Sequence, residues 1–323
     1  MTERKVYIDY LKIIGLLLVI LAHVSPPVLV NQLRSFDVPL LVLVSGYLAA
    51  ASYKGGNVKR YLYKRVKRLA FPAWIFICIF LPVRIVAYNQ PTIEEVLKEV
   101  FFQRDSDMLG FLWVIWVYLV CACLIPIIGK LKFGAKSISL WLLVLVVFEA
   151  CCRTQMVNSR LLYMTLFTIV PFGFITFIGY NITKITRPYL WVLVSFVIYA
   201  LYSMWLYFSR GNYVQTDIYK YPVQIYYLSF ALSLSILIFV IFSKLNVPRN
   251  RLIEFMSSSS LWIYLWHIIA LYAVKMFIEN DEYWLIQYVL IVFIATIITY
   301  IQNIIVDKLI IHNKNQWLKV FKG

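Results

Sequence analysis

Charge is scarce in this sequence. Of its 323 residues only 14% are Asp, Glu, Lys or Arg, and most of these stand between long apolar runs. A soluble domain carries about 25% charged and about 45–50% apolar residues, whereas here 62% are hydrophobic, 17% are aromatic and the mean hydropathy is +0.79. Histidine is scarcer still: there are three, which argues against haem or a histidine-built metal centre. The five cysteines, Cys78, Cys121, Cys123, Cys151 and Cys152, lie in or beside apolar runs without paired ligand spacing. Neither a disulfide framework nor any metal site is expected from them. No Gly/Ser linker, internal repeat or low-complexity tract interrupts the chain, and its longest polar break, residues 89–109, is too short to fold alone. Residues 1–323 are therefore expected to form a single membrane domain.

Apolar runs of membrane-crossing length are what the sequence has instead. About ten fall near residues 9–28, 37–53, 69–88, 110–129, 138–151, 162–183, 189–208, 222–243, 258–278 and 284–306; a helix needs about 20 residues to cross ~30 Å of hydrocarbon. The fold class is all-α, a polytopic integral membrane helical bundle of about ten transmembrane helices. The first run follows TERK directly and has no small-residue cleavage site after it, so it reads as a retained helix rather than a signal peptide.

Alternating the polar breaks from a cytoplasmic N-terminus places 21 of the 31 Lys and Arg inside, among them Arg4, Lys314 and seven cations of segment 54–68. Eleven of the fifteen acids fall outside, including Glu94, Glu95, Glu99, Asp105, Asp107 and Asp217. The bias follows the positive-inside rule and predicts both termini in the cytoplasm. The net charge of +16 is then a topology signal and gives no reason to expect nucleic acid as a partner.

The first run, IDYLKIIGLLLVILAH, keeps Asp9, Lys12 and His23 in an apolar stretch. On an ideal helix Lys12 and His23 are eleven steps apart, which brings them within about 20° in azimuth and roughly 16 Å along the axis. Asp9 shares that face, so the face meets protein or a cavity rather than lipid. His23 alone is compatible with a simple interhelical hydrogen bond. In line with Asp9 and Lys12 it reads as a general base, because a ring with a pKa near ~6.5 is mostly neutral at physiological pH and can accept a hydroxyl proton. A second histidine, His267, ends SSSSLWIYLWH at comparable depth, beside Trp262, Tyr264 and Trp266; an aromatic helix face is the other reading of that stretch.

D-Y-L-K followed by ten residues and His resembles the opening of membrane acyltransferase family 3, whose signature is a basic residue, ten residues and His. RSFDVPLLVLVSGYL (34–48), YLYKRVKRLAFP (61–72), GFLWVIWVYLVCACLIP (110–126) and SLWIYLWH (260–267) are similar to later segments of that family, in family order. Two positions depart from it: Lys12 stands where many members have Arg, and Asp37 where many have His. The hydrolase-like domain that some relatives append is not expected here.

The resemblance implies transfer of an acyl group, usually acetyl, from acetyl-CoA or another short acyl-CoA to a hydroxyl on a cell-envelope glycan or lipid-linked saccharide. The protein would be a multi-pass protein of the cell membrane, with acyl-CoA, glycan acceptor and membrane lipid as partners and no metal. His23 would be the base, with Lys12 and Asp9 beside it. Lys64, Arg65 and Arg68 would meet the polyanionic donor together with Lys12, although such a run also satisfies the positive-inside bias. Arg34, Asp37, Trp113, Tyr264 and His267 would face the acceptor. A membrane exporter or flippase of glycan intermediates is the alternative, since polar stripes also line transport paths; no inverted repeat or matched pair of Gly/Pro-broken helices supports it. A purely structural partner in a cell-surface assembly would leave Asp9, Lys12 and His23 no reason to align.

Overall fold

The computed structural model describes residues 5–87, 90–104, 106, 108–154, 160–313 and 316–322, and Arg4, Asp105, Asp107 and Lys314 lie outside them. The described residues form helices joined by short connections, with an isolated antiparallel bridge between Lys220 and Val223. Helices close their own backbone hydrogen bonds, which hydrocarbon demands of a lipid-facing chain. In chain order they are α1 Val6–Leu21, α2 Val28–Arg34, α3 Asp37–Ser52, α4 Val58–Ala87, α5 Ile93–Val100, α6 Trp113–Ile128, α7 Ala135–Arg153, α8 Arg160–Asn181, α9 Pro188–Arg210, α10 Ile225–Lys244, α11 Arg251–Ser258, α12 Ser260–Phe277 and α13 Trp284–Asn313. Nine segments among the described residues are long and apolar enough to cross a bilayer. Every expected run contains a helix, and the run at 138–151 extends into the 19-residue α7. The 16-residue α1 is shorter than its run, reaching only ~24 Å at 1.5 Å per residue.

The chain divides into two compact units. One comprises residues 1–15, 27–58 and 120–247, the other residues 16–26, 59–119 and 248–323. In the first, α3 and α8 approach backbone to backbone. A Cβ on Gly46 would stand 2.6 Å from the Thr176 carbonyl oxygen, and one on Gly179 would collide with the Leu43 carbonyl. Small residues permit this approach in lipid, where close packing replaces the hydrophobic drive between helices. Helix α10 is largely buried, whereas α7 and α9 turn apolar side chains such as Leu143, Val147, Leu193 and Leu201 outward.

In the second unit α12 and α13 form an antiparallel hairpin tied by Trp266 Nε1 to Gln302 Oε1 (2.6 Å) and Asn303 Nδ2 to Ser259 Oγ (2.9 Å). The 3-10 segment Gln316–Phe321 folds back on this hairpin. Trp262 Nε1 donates to the Val320 carbonyl, Phe321 stacks on Trp262, and Lys67 of α4 lies over Trp317. Helix α5 opens with a capping box between Thr92 and Glu95. Its Glu99 and Glu95 both accept from Arg84 at the end of α4, while Ile93, Leu97 and Phe101 are exposed four residues apart.

Candidate active site

In the second unit two histidines far apart in sequence lie face to face. The His23 and His267 ring centroids are 5.5 Å apart with planes 23° from parallel, and Phe111 meets His23 edge-on at 4.3 Å. His23 stands just past the end of α1. Its amide bonds to the Ile20 carbonyl, three residues back, so the chain tightens where the sequence alone extrapolates a regular helix. Each 3-10 step turns about 20° more than an α step, so this tightened turn, rather than a regular helix, sets the azimuth of His23. The termination is local: Ser25 has φ +50 and precedes Pro26-Pro27, and a residue before proline is disfavoured from the helical region.

His267 sits within α12 and is fully buried. Its Nδ1 meets the Tyr264 carbonyl oxygen one turn earlier, while its Nε2 has no hydrogen-bond partner among the described residues. The Tyr264 hydroxyl donates to the Phe111 carbonyl and Tyr272 donates to the Met108 carbonyl at 2.8 Å. Those two bonds stitch the turn at 108–111 to α12 and hold the Phe111 ring where it touches His23. Trp113 follows two residues later at the start of α6 and is partly buried. Phe111 is the member of this cluster that sequence reasoning missed; it stands in the quoted GFLW stretch, but nothing in its spacing ties it to a histidine.

Asp9, which is buried, and Lys12 lie in the first unit. Arg34 and Asp37, also in the first unit, are brought together in a buried ionic network. Arg34 donates to Asp37 Oδ2 (2.6 Å), Asp217 Oδ2 (2.9 Å) and Asn31 Oδ1 (2.6 and 2.8 Å), and Lys220 Nζ lies 3.3 Å from Asp37 Oδ1. Asn31 bonds Asp217 at 2.6 Å, and Gln32 Oε1 accepts from the Thr216 amide at 3.0 Å. The segment between α9 and α10 is thus pinned to α2 and to the first turn of α3. Burial works to lower the Lys220 pKa, but Asp37, Tyr221 and Asp217 together hold it above the ordinary lysine value. Sequence shows Asp217 and Lys220 only as charges in a short break, and their pairing with residues some 180 positions away has no periodic signal.

On α4, in the second unit, Lys64 and Arg68 are exposed and Arg65 lies over the Tyr61 ring at 5.2 Å. The helix is continuous from this cationic start into the apolar span, so Arg65 and Arg68 occupy one face three residues apart. An apolar cleft of about 530 Å³ in the first unit, between α7, α8, α9 and α10, offers only Ser195 and Ser229 as polar lining and no acid–base group.

A family model described as an acyltransferase domain matches residues 5–304. No curated protein and no solved structure matches the chain. Because the family match begins at the residue before α1, ends deep in α13 and takes in both units of a multi-pass helical membrane protein, the chain belongs to membrane acyltransferase family 3.

Proposed function

We propose that this protein moves an acyl group, acetyl foremost, from acyl-CoA on the cytoplasmic side of a bacterial cytoplasmic membrane to a hydroxyl of a cell-envelope glycan or lipid-linked saccharide. The observation that carries the reading is the paired His23 and His267 rings in a chain of this family. His23 takes the hydroxyl proton as the oxygen attacks the thioester carbonyl. The O–H and C–S bonds break, the ester C–O bond forms, and the proton returns to the thiolate leaving group. No acyl-enzyme is needed, because a hydroxyl relieved of its proton is nucleophile enough.

Lys12 meets negative charge on the donor or on the developing oxyanion, and Asp9 holds the lysine's charge in a helix that would otherwise expel it. Lys64, Arg65 and Arg68 attract the donor phosphates as they approach the start of α4. Trp113, Tyr264 and His267 form the acceptor's wall. Arg34 and Asp37 already have partners in Asp217, Lys220 and Asn31, so they serve the acceptor by fixing the segment before α10.

The test uses purified protein in liposomes supplied with envelope glycan and radiolabelled acetyl-CoA, with His23→Ala alongside. Label should enter the glycan and fall by a factor of at least ~100 in the variant, the usual worth of a general base. Turnover retained by folded His23→Ala would remove His23 as the base. No label from any acyl-CoA, together with glycan crossing the bilayer, would replace the enzyme by an exporter.

A further inference from the structure

A neutral imidazole has one N–H and one lone pair. The Tyr264 carbonyl can only accept, so its contact with His267 Nδ1 fixes the ring hydrogen on that nitrogen. Nε2 is then an obligate acceptor, and it is fully buried without a partner among the described residues. Buried polar atoms are seldom left so. The ring beside it is no remedy, since the Tyr264 hydroxyl, 5.0 Å away ring to ring, is committed to the Phe111 carbonyl. What the site lacks is a donor to Nε2, on a ring whose centroid is 5.5 Å from that of His23.

We propose that His267 is the second catalytic imidazole: its Nε2 receives the O–H of the acceptor and shares the released proton with His23. This rests on the acyltransferase reading given above. As the oxygen attacks, the O–H bond breaks and the ester C–O bond forms. The proton resides on the histidine pair and passes to the thiolate sulfur when the C–S bond breaks. Two stacked imidazoles hold one proton between them, because two imidazoliums at this separation repel. The pair therefore orients one hydroxyl and stores one proton, and an acceptor carbon bearing no hydroxyl has nothing to offer Nε2.

Two replacements separate this role from packing. His267→Asn keeps an amide N–H near the Nδ1 position, able to bond the Tyr264 carbonyl, and leaves nothing at Nε2. His267→Gln places an amide near Nε2 that forms hydrogen bonds but does not titrate. Initial rates of acetyl transfer would be followed from pH 5 to 9 in liposomes for the wild type and both variants, with thermal midpoints as the check on folding. Both variants should lose kcat by a factor of about 100 or more, with the acceptor KM rising for Asn and held within a few-fold by Gln. Transfer by either folded variant within about threefold of wild type, with an unchanged pH profile, overturns the proposal and leaves His267 a packing residue. A readout independent of substitution is available because the chain has three histidines. In ¹⁵N-histidine-labelled wild-type protein, short oligosaccharides cut from the envelope glycan should shift the His267 Nε2 resonance, and an unmoved resonance counts against the proposal. A wild type that transfers nothing from any acyl-CoA sinks the acyltransferase reading and this inference with it, whereas an active wild type beside an active His267→Asn sinks the inference alone.

Discussion

Arg34 answers three acceptors with one guanidinium, and that geometry decides what can replace it. Lysine carries the same charge as a single point and cannot span Asp37, Asp217 and Asn31 together. Arg34→Lys and Arg34→Ala should therefore both destabilise the first unit, by about 1–3 kcal/mol because Asp37 keeps Lys220 and Asp217 keeps Asn31, read as a fall in thermal midpoint in detergent. A lysine variant as stable as wild type would mean that charge alone matters at this position. Lys12 makes a contrasting case. Lys12→Ala should raise the KM for acyl-CoA by about tenfold, roughly one charge-assisted contact, while leaving the acceptor KM within a few-fold. Equal effects on both would remove Lys12 from the donor. At this scale the sequence is informative about which residues are unusual and silent about whom they meet. His23, Asp37 and His267 stand out because each is costly in an apolar run. Their partners lie far along the chain, and no spacing rule connects residue 23 to 267 or residue 37 to 220.

Helices are where the sequence speaks most clearly, because a backbone in lipid has few alternatives and run length alone locates a span. What run length omits is how helices end and how closely they approach. The turn that carries His23 comes from Pro26-Pro27, and α11 forms in what reads as a polar break before the run at 258–278, parted from α12 at Ser259. The α3–α8 contact depends on Gly46 and Gly179, neither of which looks special in a sequence with eleven glycines. Gly179→Ala should cost about 1–3 kcal/mol by forcing the two backbones apart, and a variant melting with the wild type would show that the contact relaxes freely. Helix α5 adds a pH prediction. Burial pushes the Glu99 carboxyl above the ordinary range, with Arg84 and Ser106 pulling it only partly back. A raised folded-state pKa means that the protonated form is favoured by folding, so the stabilisation is complete below about pH 4.3 and is lost as pH rises through the folded value. Corrected for intrinsic rates, amide exchange in residues 93–100 should therefore quicken as pH rises out of the acid range, and Glu99→Gln should flatten that trend. A wild type with no pH trend would contradict it.

For the whole molecule the cation bias predicts a sidedness that labelling can check. With the five native cysteines replaced by serine or alanine, single cysteines placed at Gly55 and Gly211, both exposed turn glycines with positive φ, should react with an impermeant maleimide from opposite sides of the membrane, position 55 from the cytoplasm. Reaction from one side would mean that an expected crossing between them is missing. The division into two units was not legible in the sequence, since each is assembled from separated stretches without a linker between them. That interleaving has a consequence for biosynthesis. A ribosome that has passed residue 247 has already supplied every member of the Arg34 network, yet His23, made well before that point, waits for α12 before its partner ring exists. The first unit can mature before α12 is translated; the histidine pair cannot form until it is.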